Sequence, residues 1–263
     1  MTSISTARGC KQGRLQDQWL MNPVMEAKKP MILAGTIARV SSISTKKLIL
    51  HEDAELLIVN KPAGMPVLPD GWEKDAPYLV KLLEEHYGKV WVVHRLDKIT
   101  SGVMVMARTA EAHRALSMQF EQHEVQKVYH AIVVGVPEWD QLTTRHPLRV
   151  DVGHSHRTVV DHSKGKSSET AFRVLERHTG TSLLEAIPGT GRTHQIRVHA
   201  YAIGFSLLGD TLYSAPATDL IARPALHAQS LTFTHPASGE RVPFSAPYPD
   251  DFQTALEKLL LLA

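Results

Sequence analysis

The chain has 263 residues, of which 43% are hydrophobic and 21% charged, with one cysteine and a formal net charge of +2. This composition is that of an ordinary globular protein, and it excludes a chain that is disordered throughout. No apolar run approaches the roughly 20 residues of a membrane helix, and no secretory signal core is present. A single cysteine excludes an internal disulfide and fits a reducing compartment, so we expect a cytoplasmic protein without a membrane anchor.

The first 47 residues differ from the rest of the chain in charge and periodicity. Residues 1–50 contain eight Lys or Arg against two acidic residues, and residues 1–47 show no sustained apolar period. A basic arm of this kind suits sequence-independent contact with phosphates. A solvated leader or an over-long gene start explains the same charges, and an organellar address is a further alternative. We predict a basic, irregular extension over 1–47 and a folded domain over 48–263.

From residue 48 onward the pattern predicts more strands than helices. Strands are predicted at 48–51, 56–60, 90–93, 102–107, 125–136, 170–176, 182–187 and 228–234. Helices are predicted at 77–87, after Thr109, at 193–203 and from about Phe252. The basic stretch 145–166 has few large apolar residues and is expected to be a surface excursion. Strands and helices do not alternate strictly, which favours an α+β fold over a doubly wound parallel sheet.

A carboxylate stands at the end of the predicted strand 90–93, between two basic residues. Arg95 and Lys98 flank Asp97, and a Thr-Ser-Gly turn follows at 100–102. Nearby cations favour the ionised form of a carboxylate, and a rigid ionised carboxylate is what a nucleophile requires. A surface aspartate paired with a neighbouring base explains the same residues, so this segment alone leaves both interpretations open.

A second polar cluster begins with two glycines and continues into the predicted helix 193–203. Arg192 and Arg197 lie five residues apart, so they point in somewhat different directions. One of them can meet a phosphate while the other meets a buried carboxylate by a two-pronged contact. A capped helix with an ordinary basic face is the alternative.

Tyr129 lies inside the predicted strand 125–136, two residues after Lys127. A tyrosine at a strand centre is more often core filler than catalyst, but its ring also offers a flat surface on which a nucleobase stacks. No metal motif accompanies these clusters, because H-E-x-x-H is absent and His194 and His199 are five rather than four residues apart. We therefore expect no metal site.

Together, these clusters resemble the RluA-type family of pseudouridine synthases over roughly residues 48–250. The resemblance is carried by LIVNKPAG at 57–64, HRLD at 94–97, TSG at 100–102, K-x-Y-x-A at 127–131, GRTHQIR at 191–197 and LHA at 226–228. Each motif is weak by itself, whereas the ordered set at this spacing is highly specific. It implies a mixed, largely antiparallel sheet in two halves with a catalytic cleft between them.

The resemblance also implies roles for individual residues. Asp97 is the essential aspartate, Tyr129 stacks on the target base and serves as general base, and Arg197 pairs with the aspartate. Residues expected to contact RNA are Arg95, Lys98, Arg192, His94 and Lys61. Residues expected to line the apolar part of the pocket are Val198 and Leu226.

The implied activity is the isomerisation of uridine to pseudouridine in rRNA or tRNA. The base is flipped out, its glycosidic bond is cleaved, the uracil rotates, and it rejoins the ribose through C5. Nothing is oxidised, reduced or hydrolysed overall, so no cofactor is expected, and a monomer is the default. Asp97 either attacks C1′ or removes a C2′ proton, and the sequence does not separate these routes.

Two other classes of protein compete with this interpretation. A non-catalytic RNA-binding or ribosome-assembly factor on the same fold has no need of a carboxylate among phosphates. A glycosidase normally uses two facing carboxylates, and only Asp97 lies in a motif context.

Overall fold

The structure, a computed structural model, describes residues 45–69, 76–152 and 157–261. All but the last three residues of the predicted N-terminal extension lie outside these ranges, so that part of the domain prediction stays a prediction. Thr45–Leu48 form a 3₁₀ turn in which Thr45 and Leu48 are buried. None of the helices in the described ranges is long and apolar enough to span a bilayer.

Twelve strands and four α-helices make up the described part of the chain. The strands are β1 (Ile49–Glu52), β2 (Leu56–Lys61), β3 (Trp91–Val92), β4 (Ser101–Ala107), β5 (Gln126–Val134), β6 (Gln141–Thr144), β7 (Leu148–Val152), β8 (Arg157–Val160), β9 (Thr170–His178), β10 (Thr181–Pro188), β11 (Leu226–Thr234) and β12 (Arg241–Ser245). The helices are α1 (Leu79–Tyr87), α2 (Ala110–Glu121), α3 (Gln195–Ala202) and α4 (Asp250–Leu261). A second 3₁₀ turn spans Thr211–Tyr213.

Ten of these strands form one sheet in the order β1-β2-β4-β11-β5-β10-β9-β6, with β12 on β11 and β3 on β4. Among the described strands, β4 and β11 pair in parallel, whereas every other pairing is antiparallel. One apolar core packs around β2, β4, α1 and α2, and two smaller ones pack around β5, β10, α3 and α4. The predicted α+β fold with a largely antiparallel sheet in two halves is confirmed.

The helix boundaries follow the local signals in the sequence. The Thr109 hydroxyl accepts a hydrogen bond from the backbone N–H of Ala112 at 3.1 Å and so caps α2. Gly88 ends α1 with a φ of 70°, which suits a residue without a Cβ atom.

The stretch 145–166, expected to be a surface excursion, instead contains the antiparallel hairpin β7–β8. Leu148 and Thr158 are buried there, and Leu148 packs against Val198 and Tyr213. This hairpin was missed because its few apolar residues are spread among Arg and His. Strands β6 and β12 were also missed. Both are short, each pairs with a single other strand, and their side chains are largely polar or exposed.

The parallel joint between β4 and β11 requires an unusually close backbone approach. Gly102 pairs with Ala228, and a Cβ atom on Gly102 would lie 2.2 Å from the carbonyl oxygen of Ala228. Gly102 also has a φ of 122°, a conformation that is essentially restricted to glycine. Glycine at this position therefore allows the two halves of the sheet to join.

We expect Gly102→Ala to lower the free energy of unfolding by about 3 kcal/mol or more, from backbone strain and steric overlap together. Gly180→Ala is the matched control, because Gly180 also has a positive φ but a Cβ atom there would meet nothing within 4 Å. Urea denaturation measures both variants, and the control should lose only about 1–2 kcal/mol. Equal losses would show that the close approach at Gly102 is unimportant.

Candidate active site

A cleft of about 500 Å³ opens beside the joint between the two halves of the sheet. Its walls come from the loop after β2, the loop between β3 and β4, strand β5, the segment from the end of β10 into α3, and the first residue of β11. Eight of the ten site residues predicted from sequence line this cleft: Asp97, Tyr129, Arg197, Arg95, Lys98, Arg192, His94 and Leu226. Leu226 thus lies in the wall of the pocket, where it was expected.

Asp97 lies in a turn whose neighbours are anchored in the protein. Its backbone carbonyl accepts a hydrogen bond from the N–H of Thr100 at 3.0 Å, and both Thr100 and Leu96 are buried. The Asp97 side chain is 36% exposed and therefore accessible from the cleft. Asp97 also supplies the one carboxylate among the described residues that line the cleft. The geometry thus presents a single accessible carboxylate on a fixed turn.

Lys61 does not contact solvent, so the expectation that it binds RNA is wrong. Its ammonium group is fully buried and donates hydrogen bonds to the carbonyl oxygens of Pro62, Met65 and Lys98 at 2.9, 2.8 and 3.2 Å. Burial, and then the charge of Arg223, lowers the pKa of Lys61 to about 7. Because Lys98 follows Asp97 directly, these bonds tie the turn that carries Asp97 to the loop after β2.

Arg197 forms its ion pair with Asp210, so the expected pairing with Asp97 is wrong. Its Nε and Nη2 donate to the two carboxylate oxygens of Asp210 at 2.6 and 2.7 Å, and both side chains are buried. Between described residues, no ion pair within 4 Å joins Arg197 to Asp97. Two donors of the guanidinium are already used in the bidentate contact with Asp210, and this contact fixes the side chain. The expectation that one of the two arginines makes a two-pronged contact with a buried carboxylate is confirmed.

Tyr129 lines the cleft, and its cross-strand neighbours are Ala186 of β10 and Ala228 of β11. Burial, and then the negative charge of Asp97, raises the pKa of the Tyr129 phenol well above its usual value. At neutral pH the residue is therefore a neutral phenol with a flat face. A small residue on each neighbouring strand leaves room for a planar ligand against that face.

His94 lines the cleft as a neutral ring. It stacks on Phe120 with ring centroids 4.5 Å apart, and its Nε2 accepts the backbone N–H of Val105 at 3.1 Å. Burial, and then the charge of Lys127, lowers the pKa of His94 to about 3. The imidazole therefore offers no positive charge to RNA, and its contacts indicate that it positions the turn that carries Asp97.

Val198 does not line the cleft, contrary to the sequence expectation. It is buried against Leu148 and Tyr213 and faces a separate cavity beside β8. The reason is the helical period: one residue after Arg197, the chain has turned about 100° around the axis of α3. The side chain at this position therefore points toward the β7–β8 hairpin.

Three functional features were missed or left unassigned in the sequence. Lys127 lines the cleft and its ammonium donates to the carbonyl of Thr190 at 3.2 Å, while burial lowers its pKa. Gln195 holds the β10–α3 loop, since its side-chain oxygen accepts from the Thr190 hydroxyl at 2.6 Å and from the Arg192 N–H at 3.0 Å. Both residues fall inside recognisable motifs. Asp210 falls outside every motif, and only the structure identifies it as the partner of Arg197.

His194 is the residue nearest to Asp97 among the ion pairs of the described residues. Its Nε2 lies 3.9 Å from the Asp97 carboxylate, and its Nδ1 lies 3.1 Å from the hydroxyl of Tyr213. Burial, and then the charge of Arg197, lowers the pKa of His194. One nitrogen of the His194 ring therefore lies near Asp97 in the cleft, and the other lies beside the buried Tyr213 beneath α3.

Comparison with known proteins identifies the same segment. A family profile for RNA pseudouridylate synthases matches residues 55–202. The chain is 39% identical over 230 residues to ribosomal large subunit pseudouridine synthase D of Zymomonas mobilis, covering 81% of this chain and 73% of the relative. It is 38% identical over 202 residues to the dual-specificity RNA pseudouridine synthase RluA of Escherichia coli, covering 76% and 92%.

A solved structure shows the same fold. Human RNA pseudouridylate synthase domain containing 4 superposes with a TM-score of 0.68 at 27% sequence identity, over 82% of this chain and 95% of that one.

We expect Asp210→Ala to lower the free energy of unfolding by about 3–5 kcal/mol, because it leaves the buried guanidinium of Arg197 unpaired. The control is Asp140→Ala, which breaks an exposed pair with Arg177 and should cost at most about 1 kcal/mol. Urea denaturation at neutral pH measures both variants. A loss for Asp210→Ala no larger than that of the control would contradict the buried pairing.

Proposed function

The chain belongs to the RluA-type family of RNA pseudouridine synthases and isomerises uridine in RNA to pseudouridine, and on that basis we propose that Asp97 is the catalytic carboxylate. The observation that carries this proposal is the composition of the cleft. Asp97 is its one carboxylate among the described residues, it is accessible, and it lies on a turn held by buried neighbours. Either chemical route demands an accessible carboxylate on a fixed backbone.

The cations around the cleft suit the binding of a flipped nucleotide. Arg95, Lys98, Lys127 and Arg192 all line it, and Arg197 is paired with Asp210. Flipping a uridine out of a stacked RNA costs about a few kcal/mol. Contacts between these cations and the phosphates on either side of the target offset part of that cost. Arg95, which is exposed and lies two residues before Asp97, is placed to hold the displaced strand.

The reaction requires one bond exchange and one net proton transfer. The N1–C1′ bond breaks, the uracil turns in the cleft, and a C5–C1′ bond forms, after which the C5 proton leaves and N1 gains a proton. Asp97 either attacks C1′ to form an ester or removes the C2′ proton, and both routes use the same ionised carboxylate. The cleft must retain the free uracil, and the flat face of Tyr129 is suited to that task.

Tyr129 is also the candidate to receive the C5 proton. Because burial and Asp97 keep the phenol protonated by raising its pKa, it can accept a proton only while passing its own proton on. Asp97, the one carboxylate among the described residues that line the cleft, is our candidate acceptor for that proton. Tyr129 would thus act as a stacking surface and as a proton relay.

The substrate of this chain is RNA, and we propose that it is a structured rRNA or tRNA in the cytoplasm, with the protein acting as a monomer. The printed names of its relatives refer to the ribosomal large subunit and to dual specificity. Incubation of the purified protein with unmodified total RNA, followed by carbodiimide-based mapping of pseudouridine, would identify the site. New sites confined to mRNA, with none in rRNA or tRNA, would contradict the proposal.

Two other functions are less well supported by the cleft. A two-carboxylate glycosidase needs a second acidic group facing Asp97, and the described cleft contains none. A factor that only binds RNA has no use for an accessible carboxylate surrounded by cations, because the negative charge of the carboxylate repels phosphates.

We expect Asp97→Asn to abolish pseudouridine formation, by at least about 10⁴-fold in single-turnover rate, because the amide can neither attack C1′ nor accept a proton. RNA affinity should stay within about threefold, since the substitution removes a negative charge without removing a phosphate contact. Nuclease digestion followed by chromatography measures pseudouridine formation, and filter binding measures RNA affinity. Turnover retained in the variant would exclude Asp97 as the catalytic carboxylate.

We expect Tyr129→Phe to lower the single-turnover rate by about 10²-fold or more, the usual contribution of a proton-transfer group. RNA affinity should be nearly unchanged, because the ring still stacks. Tyr129→Ala should lose affinity as well, by about 1–3 kcal/mol for one stacked base. If Tyr129→Phe keeps the rate within about threefold of the unaltered enzyme, the hydroxyl transfers no proton and only the stacking role stands.

A further inference from the structure

His194 has a backbone conformation that is uncommon for a residue with a side chain. It lies immediately before α3 with φ 55° and ψ 17°, a left-handed conformation that is unfavourable for a residue with a Cβ atom. Its side chain makes no capping hydrogen bond to α3. His123 and Ser214 also have a positive φ, but of the three only His194 lines the cleft, so the contacts of its side chain bear on the site.

Hydrogen bonds beneath the cleft determine which nitrogen of His194 carries a proton. The hydroxyl of Tyr213 donates its one proton to the carbonyl of Thr158 at 3.0 Å and accepts the N–H of Thr158 at 3.2 Å. The third partner of that hydroxyl is Nδ1 of His194, at 3.1 Å. Since a phenol has a single proton, Nδ1 must donate, and it therefore carries the hydrogen. The neutral ring then presents the lone pair of Nε2 toward Asp97.

The charges around His194 keep this nitrogen available at neutral pH. Burial and Arg197, from α3 itself, lower the pKa of His194, whereas Asp97 from the β3–β4 loop and Asp210 from the segment before the second 3₁₀ turn oppose this effect. Tyr213, in the second 3₁₀ turn, faces Nδ1, and its own pKa is raised by burial and partly lowered by Arg197 and by Arg157 of β8. The net result is an unprotonated Nε2 that lies 3.9 Å from a carboxylate oxygen.

We propose that His194 is a positioning residue that acts through Asp97: it accepts from Asp97 the proton that this carboxylate receives during the reaction. This inference depends on the proposed catalytic role of Asp97. When the C5–H bond breaks, its electron pair restores the uracil ring and the proton reaches the Asp97 carboxylate, directly or through Tyr129. The O–H bond on Asp97 then breaks as an N–H bond forms on Nε2, which leaves an imidazolium beside a carboxylate. His194 releases the proton to water, and water protonates N1, so no proton is consumed overall.

The distance is compatible with this transfer. At 3.9 Å the two atoms are not hydrogen-bonded, so transfer needs a small rotation of Asp97 or one bridging water. The Asp97 side chain can rotate because it is partly exposed. The His194 ring is fixed by the hydrogen bond between its Nδ1 and the Tyr213 hydroxyl. The mobile partner is therefore the carboxylate, which meets the substrate in one position and His194 in the other.

The test uses His194→Asn in the full chain. Asparagine tolerates the left-handed conformation and supplies an amide N–H where Nδ1–H lies, but it has no basic nitrogen. Release of tritium from RNA containing [5-³H]uridine is followed in single turnovers from about pH 5 to about pH 9. For the unaltered protein, the rate should fall on the acid side because a protonated His194 cannot accept a proton.

We expect His194→Asn to slow the reaction by about 10-fold or more. Its rate should no longer show the decrease at low pH that is due to His194, and its RNA affinity should stay within about threefold. A rate and pH profile like those of the unaltered protein would overturn the proposal. Asp97→Asn is measured in parallel. If it remains active, the proposed function fails, whereas an inactive Asp97→Asn with an unaffected His194→Asn refutes only the role of His194.

A second variant separates proton transfer from structure. His194→Gly suits the left-handed backbone and leaves a ring-sized space beside Asp97. Imidazole added to the buffer should restore the rate of this variant by about 5-fold or more with the pH dependence of free imidazole, and should leave the unaltered protein unchanged. If the variant is folded by circular dichroism and imidazole has no effect, His194 serves only as a structural residue.

Discussion

Three strands meet at one point of the sheet, and the position of the active site depends on that meeting. Gly102 of β4 pairs in parallel with Ala228 of β11, and Ala228 pairs on its other side with Tyr129 of β5. The absence of a side chain on Gly102 allows the backbones to approach closely enough for this register. Asp97 lies only a few residues before β4. The register across β11 therefore sets the separation between the carboxylate and the aromatic ring, although the two come from different halves of the sheet.

Burial divides the basic residues near the cleft into two groups. Lys61 and Arg197 are buried and use their hydrogen-bond donors on the protein, three backbone carbonyls in one case and the Asp210 carboxylate in the other. Arg95 lines the cleft and is exposed, and Arg192 lines it and is partly exposed. The first group fixes the turn and the helix that form the cleft, and the second is available for phosphates. A basic residue in a motif therefore has two physically different uses.

Much of the fold was predictable from local patterns. Apolar runs identified most central strands, and signals such as Thr109 and Gly88 placed the helix ends. The strands that were missed lie at the periphery or contain few apolar residues, because a hairpin such as β7–β8 is stabilised by contacts with α3 rather than by its own pattern. The ordered motifs also located the cleft, since eight of the ten predicted residues line it.

The errors in the site concern partners and orientation rather than location. Motif spacing does not reveal that Arg197 pairs with Asp210, because the two come together only through the packing of α3 against the segment that follows it. Burial of Lys61 and the direction of Val198 depend equally on tertiary contacts. The tautomer of His194 is equally hidden from motif spacing, because it follows from hydrogen bonds between three separate segments.

The central claim is that one carboxylate, Asp97, meets the ribose of a uridine held against Tyr129. A crystal structure of the Asp97→Asn variant with a short RNA substrate tests it most directly. We predict that the target uridine is flipped into the cleft with its base stacked on Tyr129. An atom of the residue 97 side chain should lie within about 3.5 Å of C1′ or C2′ of its ribose. A uridine bound with its ribose nearer to a different acidic residue, or left stacked in the RNA, would contradict it.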